Sequence, residues 1–119
     1  PQKILQALLK QLNAKSFNRI SVDGDESTND TVILASSNKI KLKNKINSIN
    51  DKRINSLKIS LYKVFSSLSE QIVRDGEGAT KLIKIKVNKA KNFLQAEKVA
   101  RSIANSNLFK TAIYGKDAK

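Results

Sequence analysis

The sequence predicts a layered domain of the α/β (α+β) class, with helices packed on one face of a β-sheet. Three observations support this fold class. Several segments carry apolar residues at helical steps of three and four, and one segment alternates strictly between apolar residues and lysine. The chain has 119 residues, of which 39% are hydrophobic, and this size suits one small domain or a piece of a larger one. We therefore expect residues 1–119 to form a single domain, with elements in the order α-β-β-α-β-α-β.

The first half of the chain is predicted to contain one helix and two strands. Residues 2–14 place five apolar side chains on one helical stripe: Ile4, Leu5, Leu8, Leu9 and Leu12. Phe17–Val22 then changes to β-type spacing, and a polar loop covers residues 23–30. Thr31–Ala35 is short, apolar and β-branched at its start, so it predicts a second strand. Ser36–Lys52 is rich in Asn, Lys and Ser, which is typical of an exposed connection.

The second half is predicted to contain two helices and two strands. The longest helical pattern covers Asn55–Arg74, and Gly76 is well placed to end it. Lys81–Val87 alternates between apolar residues and lysine, as a half-buried strand does. A shorter helical pattern ends near residues 105–107 and is carried by Ala96, Val99, Ala100 and Ile103. Leu108–Tyr114 is predicted to be the final strand.

The composition excludes several kinds of enzyme and site within this chain. There is no cysteine, so disulfides and thiolate metal sites are excluded. There is no histidine, which is both the commonest general base and the commonest metal ligand. No apolar run approaches the roughly 18 residues of a membrane span, and no secretory signal pattern is present. We therefore expect a cytoplasmic protein without a membrane partner.

The net charge of +13 raises the question of a nucleic-acid partner. The positive residues are 19 Lys and only 4 Arg, and Arg is the residue that reads phosphates and bases in bidentate fashion. No aromatic residue is interleaved with the lysine clusters at residues 39–45 and 81–91. We interpret the charge mainly as a solvated surface. The alternative function is a small Lys-rich module that binds nucleic acid without sequence preference and loses affinity as salt rises.

The acidic loop resembles a calcium-binding loop only in its first part. Asp23, Asp25, Ser27 and Asn29 fall at alternate positions, but Thr28 stands where the sharp-turn glycine is needed. The bidentate glutamate at the end of such a loop is also missing. We therefore predict no metal site and expect these side chains to accept backbone N–H bonds within a tight turn.

Glu77 is the one candidate site residue, because it stands between two glycines. Gly76 and Gly78 let the backbone approach a ligand closely and adopt positive φ angles. A carboxylate held there could pair with the ammonium group of a substrate. A solvated glutamate in a flexible turn is equally compatible with this spacing. The phosphate-loop patterns GxxxxGK[ST] and GxGxxG are absent.

Three blocks of the sequence strongly resemble the ornithine acetyltransferase family, whose members are bifunctional glutamate N-acetyltransferases and amino-acid acetyltransferases. The blocks are SFNRISVDGDESTNDTVILASS (16–37), QIVRDGEGATKLIKIKV (71–87) and ARSIANSNLFKTAIYGKD (100–117). They occur in the order found in the family and cover roughly half of the chain. The resemblance implies the family's N-terminal-nucleophile-type αββα fold.

The resemblance also implies an activity and an active site that is shared between two chains. Family members cleave themselves into α and β chains, and the new N-terminal Thr of β carries acetyl from N-acetylornithine to glutamate in arginine biosynthesis. The chain starts at Pro1, so we expect an internal fragment of a β chain that lacks the nucleophile strand and the C-terminal segment. Its partners would then be the α chain and the rest of the β chain.

The resemblance implies one site residue and no resident cofactor in these 119 residues. The glutamate of the family's DGEGATK block corresponds to Glu77, which is implied to contact the substrate. No catalytic residue is implied here, so we expect the fragment alone to be inactive. Some members also use acetyl-CoA as the acetyl donor. A second copy of the same chain, in a homo-oligomer, is kept as an alternative partner.

Overall fold

The structure is a computed structural model that describes residues 1–25 and 27–116. In this part of the chain it contains four α-helices: α1 (Gln2–Asn13), α2 (Asn55–Arg74), α3 (Phe93–Ala104) and α4 (Asn107–Gly115). Two short 3₁₀ helices cover Phe17–Arg19 and Lys52–Ile54. The first three α-helices confirm the helices predicted from the apolar spacing. None of the described helices is long and apolar enough to cross a membrane.

The predicted α/β class is wrong for the described residues, which contain helices and turns but no β-strand. Phe17–Val22 begins with a 3₁₀ helix, and Thr31–Ala35 and Lys81–Val87 have no regular secondary structure. In the third segment Ile85 and Val87 are half-buried, but Ile83, which the alternation places on the same face, is exposed. A strand also needs a neighbouring strand for its backbone hydrogen bonds, and local alternation does not supply one.

The last predicted strand is wrong for a different reason, because Leu108–Tyr114 lies within helix α4. Ser106 is the N-cap of this helix, and its hydroxyl accepts a hydrogen bond from the Phe109 N–H at 3.2 Å. The polar run 105–107, predicted to close one helix, therefore also opens the next. A cap of this kind satisfies one of the N–H groups that a helix start leaves without a partner.

Replacing the cap Ser106 by alanine is expected to lower the free energy of unfolding by about 1 kcal/mol. The physical reason is that the Phe109 N–H loses its acceptor while the rest of α4 is unchanged. Chemical unfolding of the two proteins measures the difference. Ser102→Ala is the matched control, because Ser102 is exposed inside α3. Equal losses from both substitutions would show that the cap does not stabilise the protein.

The chain divides into two compact units. The first unit comprises Pro1–Ile20 and Ser27–Gln71. The second unit comprises, among the described residues, 21–25 and 72–116.

The hydrophobic core of the described residues lies in the first unit. Leu8 and Leu12 of α1, Ile54 of the second 3₁₀ helix and Phe65 of α2 are at most 5% exposed. Phe65 meets the ring of Phe17 edge to face, with 5.6 Å between the ring centroids. The Ser16 hydroxyl donates to the Leu12 carbonyl at 2.7 Å and so ties the end of α1 to the segment that carries Phe17.

An ion pair in the first unit anchors the lysine-rich connection. The Arg53 guanidinium binds the Asp51 carboxylate and also donates to the carbonyls of Asn44 at 2.9 Å and Lys45 at 3.3 Å. Asp51 also caps the 3₁₀ helix by accepting from the Arg53 N–H. The side-chain hydrogen bond from Arg53, aided by its backbone N–H, lowers the pKa of Asp51 from 3.8 to about 2.

This lowered pKa predicts a defined pH window for the ion pair. Since the folded pKa of Asp51 lies below 3.8, its contribution to stability is present above that pH and is lost as the pH falls toward 2. Carboxyl NMR titration should give a pKa of about 2 for Asp51, and Arg53→Met should return it toward 3.8. Arg19→Met, in the same unit, should leave it unchanged. A normal Asp51 pKa in the unsubstituted protein would contradict the expected pairing.

Candidate functional site

Glu77 lies at the outer corner of a β-turn, which we call the Glu77 turn and which covers residues 76–79. The Ala79 N–H donates to the Gly76 carbonyl at 2.9 Å, so Glu77 and Gly78 are the two central residues. Gly78 has φ +70°, the conformation that a type II turn requires at its second central position. The Glu77 side chain is exposed. The turn therefore presents a carboxylate to solvent from a short, hydrogen-bonded loop.

Gly76 is needed for packing rather than for an unusual backbone angle. A Cβ atom at this position would lie 3.0 Å from Cγ1 of Val22 and 3.3 Å from the Val73 carbonyl oxygen. Contacts this short would force the Val22 side chain or the helix end to move. The close approach expected from the Gly-Glu-Gly spacing is thus made to another part of the protein, at the end of α2.

Val22 is itself held by the helices of the second unit. Its carbonyl accepts a hydrogen bond from the Lys110 ammonium of α4 at 3.0 Å. The neighbouring Ser21 hydroxyl is 2.6 Å from Oδ1 of Asn105, to which it donates. The segment against which Gly76 packs is therefore attached to the end of α3 and to α4.

The other side of the Glu77 turn is also attached to α4, through Lys81. The Lys81 ammonium donates to the Tyr114 carbonyl at 2.9 Å and lies 5.1 Å from the centroid of the Tyr114 ring. This carbonyl belongs to the last turn of α4, where carbonyl groups lack helical partners and the helix dipole favours a cation. Sequence reasoning missed Lys81 and Lys110, because their partners lie 33 and 88 positions away.

The Glu77 carboxylate has no hydrogen-bond or ion-pair partner among the described residues. Two other described carboxylates are paired, Glu97 with Arg101 and Asp51 with Arg53. A carboxylate that is exposed and held by a short turn can accept charge-assisted hydrogen bonds from an ammonium group. The arrangement can therefore bind a ligand through its ammonium group.

The acidic loop has the structural role predicted for it. The Asp23 carboxylate accepts from the Asp25 N–H at 2.9 Å, and the Ser27 hydroxyl accepts from the N–H groups of Asn29 and Asp30 at 3.2 Å. Glu26 and Asp117, which belong to the sequence blocks that resemble the family, and residues 118–119 lie outside the described residues. The described part of the chain contains no group of three metal-ligating side chains.

Comparisons with known proteins agree over nearly the whole chain. A sequence model described as the ArgJ family matches residues 1–119. The chain is 46% identical over 116 residues to the mitochondrial arginine biosynthesis bifunctional protein ArgJ of Candida tropicalis, covering 96% of this chain and 28% of that protein. It is 45% identical over 115 residues to the glutamate N-acetyltransferase of Methanopyrus kandleri, covering 97% of this chain and 29% of that protein.

A solved structure is similar in three dimensions. The chain superposes on the crystal structure of the arginine biosynthesis bifunctional protein ArgJ from Bacillus halodurans with a TM-score of 0.87 and 42% identity. The match covers 99% of this chain and 55% of that chain. The chain thus spans between a quarter and a third of the two curated relatives and about half of the solved chain.

Proposed function

The chain belongs to the ArgJ family, and from this membership we propose that the protein is an acetyltransferase of arginine biosynthesis, in which Glu77 binds substrate. The family match over residues 1–119 is the observation that carries the proposal. The relatives' names, which include glutamate N-acetyltransferase, support acetyl transfer to glutamate. They favour this function over the alternative of a nucleic-acid-binding module.

The proposed reaction moves an acetyl group from N-acetylornithine to glutamate in two steps. A threonine hydroxyl of the whole protein attacks the acetyl carbonyl, the amide C–N bond breaks, and ornithine leaves with the transferred proton. The glutamate amine then attacks the acetyl ester, forms the new C–N bond and releases the hydroxyl. An acyl-enzyme of this kind divides one difficult transfer into two easier steps. In this proposal residues 1–119 contribute a substrate contact and no catalytic residue.

Cleavage of the precursor into two chains is part of the same proposal. The chain covers 55% of the solved Bacillus halodurans chain but only 28–29% of the curated relatives, so the solved chain is about half as long as these relatives. This length ratio supports an enzyme made of two chains. Residues 1–119 would then belong to the β chain and act together with the α chain.

Glu77 is proposed to bind the ammonium group that both amino-acid substrates carry. Its carboxylate is exposed, it has no partner among the described residues, and its backbone turn is closed by a hydrogen bond. N-acetylornithine keeps one free ammonium group, and glutamate enters with one, which loses a proton before its nitrogen attacks the acetyl ester. A carboxylate is the complementary partner for either substrate.

The use of acetyl-CoA and the location of the protein are both predictions. Acetyl-CoA is a further acetyl donor by family resemblance alone. The cytoplasmic location also stays a prediction. The name of the Candida tropicalis relative includes the word mitochondrial, whereas the name of the Methanopyrus kandleri relative gives no location.

The experiment that tests the function is acetyl transfer by the purified full-length protein. We expect ornithine and N-acetylglutamate to appear together when N-acetylornithine and glutamate are supplied. With N-acetylornithine alone, mass spectrometry should find the acetyl group on the protein. An extract from a host that lacks this activity controls for contaminating enzyme. The absence of both products would overturn the proposal.

A further inference from the structure

We propose that Lys81 and Lys110 are positioning residues, through which helix α4 holds the Glu77 turn in place for substrate binding. This inference rests on the proposed role of Glu77. It concerns the second unit only, which contains the turn, the segment 21–25 and α4.

The first attachment lies on the C-terminal side of the turn. Lys81 comes two residues after the turn and reaches the end of α4, where its ammonium donates to the Tyr114 carbonyl at 2.9 Å. The same ammonium lies 5.1 Å from the centroid of the Tyr114 ring, within the range of a cation–π contact. Although Lys81 is exposed, it makes two directed interactions with one residue of the helix.

The second attachment lies on the N-terminal side of the turn and passes through Val22. The Lys110 ammonium donates to the Val22 carbonyl at 3.0 Å. The Val22 side chain in turn lies against Gly76, so closely that a Cβ atom there would be 3.0 Å from it. Both lysines therefore connect the turn to α4. Lys110 is part of this helix, and Lys81 binds its C-terminal end.

These attachments supply what the turn cannot supply alone. Within the turn, the hydrogen bond between Ala79 and Gly76 fixes local conformation but not the place of the turn in the protein. An exposed loop with a positive-φ glycine moves easily unless its flanks are held. Because a loop that is already fixed in its binding conformation loses less freedom when substrate binds, fixed flanks increase the affinity that Glu77 contributes.

The test measures KM for N-acetylornithine and glutamate in the full-length enzyme. Lys81→Met and Lys110→Met keep the aliphatic part of each side chain and remove the ammonium. We expect each to raise KM about tenfold, because a turn with one released flank must be ordered when substrate binds, with an unchanged melting temperature. Lys81→Arg should restore most of the affinity, since a guanidinium also binds carbonyls and aromatic rings. Lys86→Met, an exposed lysine of the same segment, should leave KM unchanged.

A double substitution separates this inference from the role of Glu77. In a Glu77→Gln background, Lys81→Met should add little to KM, because the group that it positions is already gone. A merely structural lysine would add its full effect in both backgrounds, and this result would overturn the inference. If Glu77→Gln raises KM while both lysine variants behave like Lys86→Met, the positioning role fails and the substrate contact stands. If Glu77→Gln itself has no effect, the proposed substrate contact fails.

Discussion

Glu77→Gln in the full-length enzyme is expected to raise KM for N-acetylornithine and for glutamate by about tenfold to a hundredfold. The substitution keeps the shape of the side chain and removes its charge, so it loses a charge-assisted hydrogen bond worth about 1.5–3 kcal/mol. The turn itself should persist, because the backbone bond from Ala79 to Gly76 closes it and the carboxylate takes no part. Steady-state kinetics of the two half-reactions measure the effect.

The matched control for this prediction is Glu97→Gln. Glu97 is a partly exposed glutamate of α3 that pairs with Arg101 at 3.0 Å, one helical turn away. Such surface pairs stabilise proteins by less than about 1 kcal/mol, so the control should keep normal KM values. Equal kinetics for Glu77→Gln and the unsubstituted enzyme would remove Glu77 from the substrate site.

Phe65→Ala is expected to have the largest effect on stability, a loss of about 3–5 kcal/mol. Phe65 is 5% exposed and makes an edge-to-face contact with Phe17. Its truncation removes buried apolar area, leaves a cavity and ends an aromatic contact worth about 0.5–1.5 kcal/mol. Denaturant unfolding of the full-length protein, followed by a probe in the first unit, measures the loss.

Tyr62→Ala controls for the removal of an aromatic ring from the same helix. Tyr62 is 43% exposed, so its truncation should destabilise the protein far less than Phe65→Ala. Phe65→Leu should lie between the two, because it keeps part of the buried volume. If Phe65→Ala and Tyr62→Ala were equivalent, the core of the first unit would have to lie elsewhere.

Helices α1, α2 and α3 were predictable because their information is local, whereas the segment of α4 was predicted to be a strand. In α1 and α2 the apolar side chains recur at three- and four-residue steps, and the predicted bounds of α2 are those of the structure. The fold class was not predictable in the same way. The segment Lys81–Val87 has the alternation of a strand without being one among the described residues, because pairing depends on a second segment.

The candidate site likewise combines features that are local in the sequence with contacts between residues that are far apart in the chain. The sequence pattern alone predicts α1, α2 and α3 and places Glu77 between two glycines, of which Gly78 adopts the expected positive φ. The packing of Gly76 on Val22 and the hydrogen bonds of Lys81 to Tyr114 and of Lys110 to Val22 are seen only in the folded protein. Periodicity and turn preference act between neighbouring residues. The contacts that hold a turn in place join residues far apart in the chain, and only folding brings them within hydrogen-bond distance.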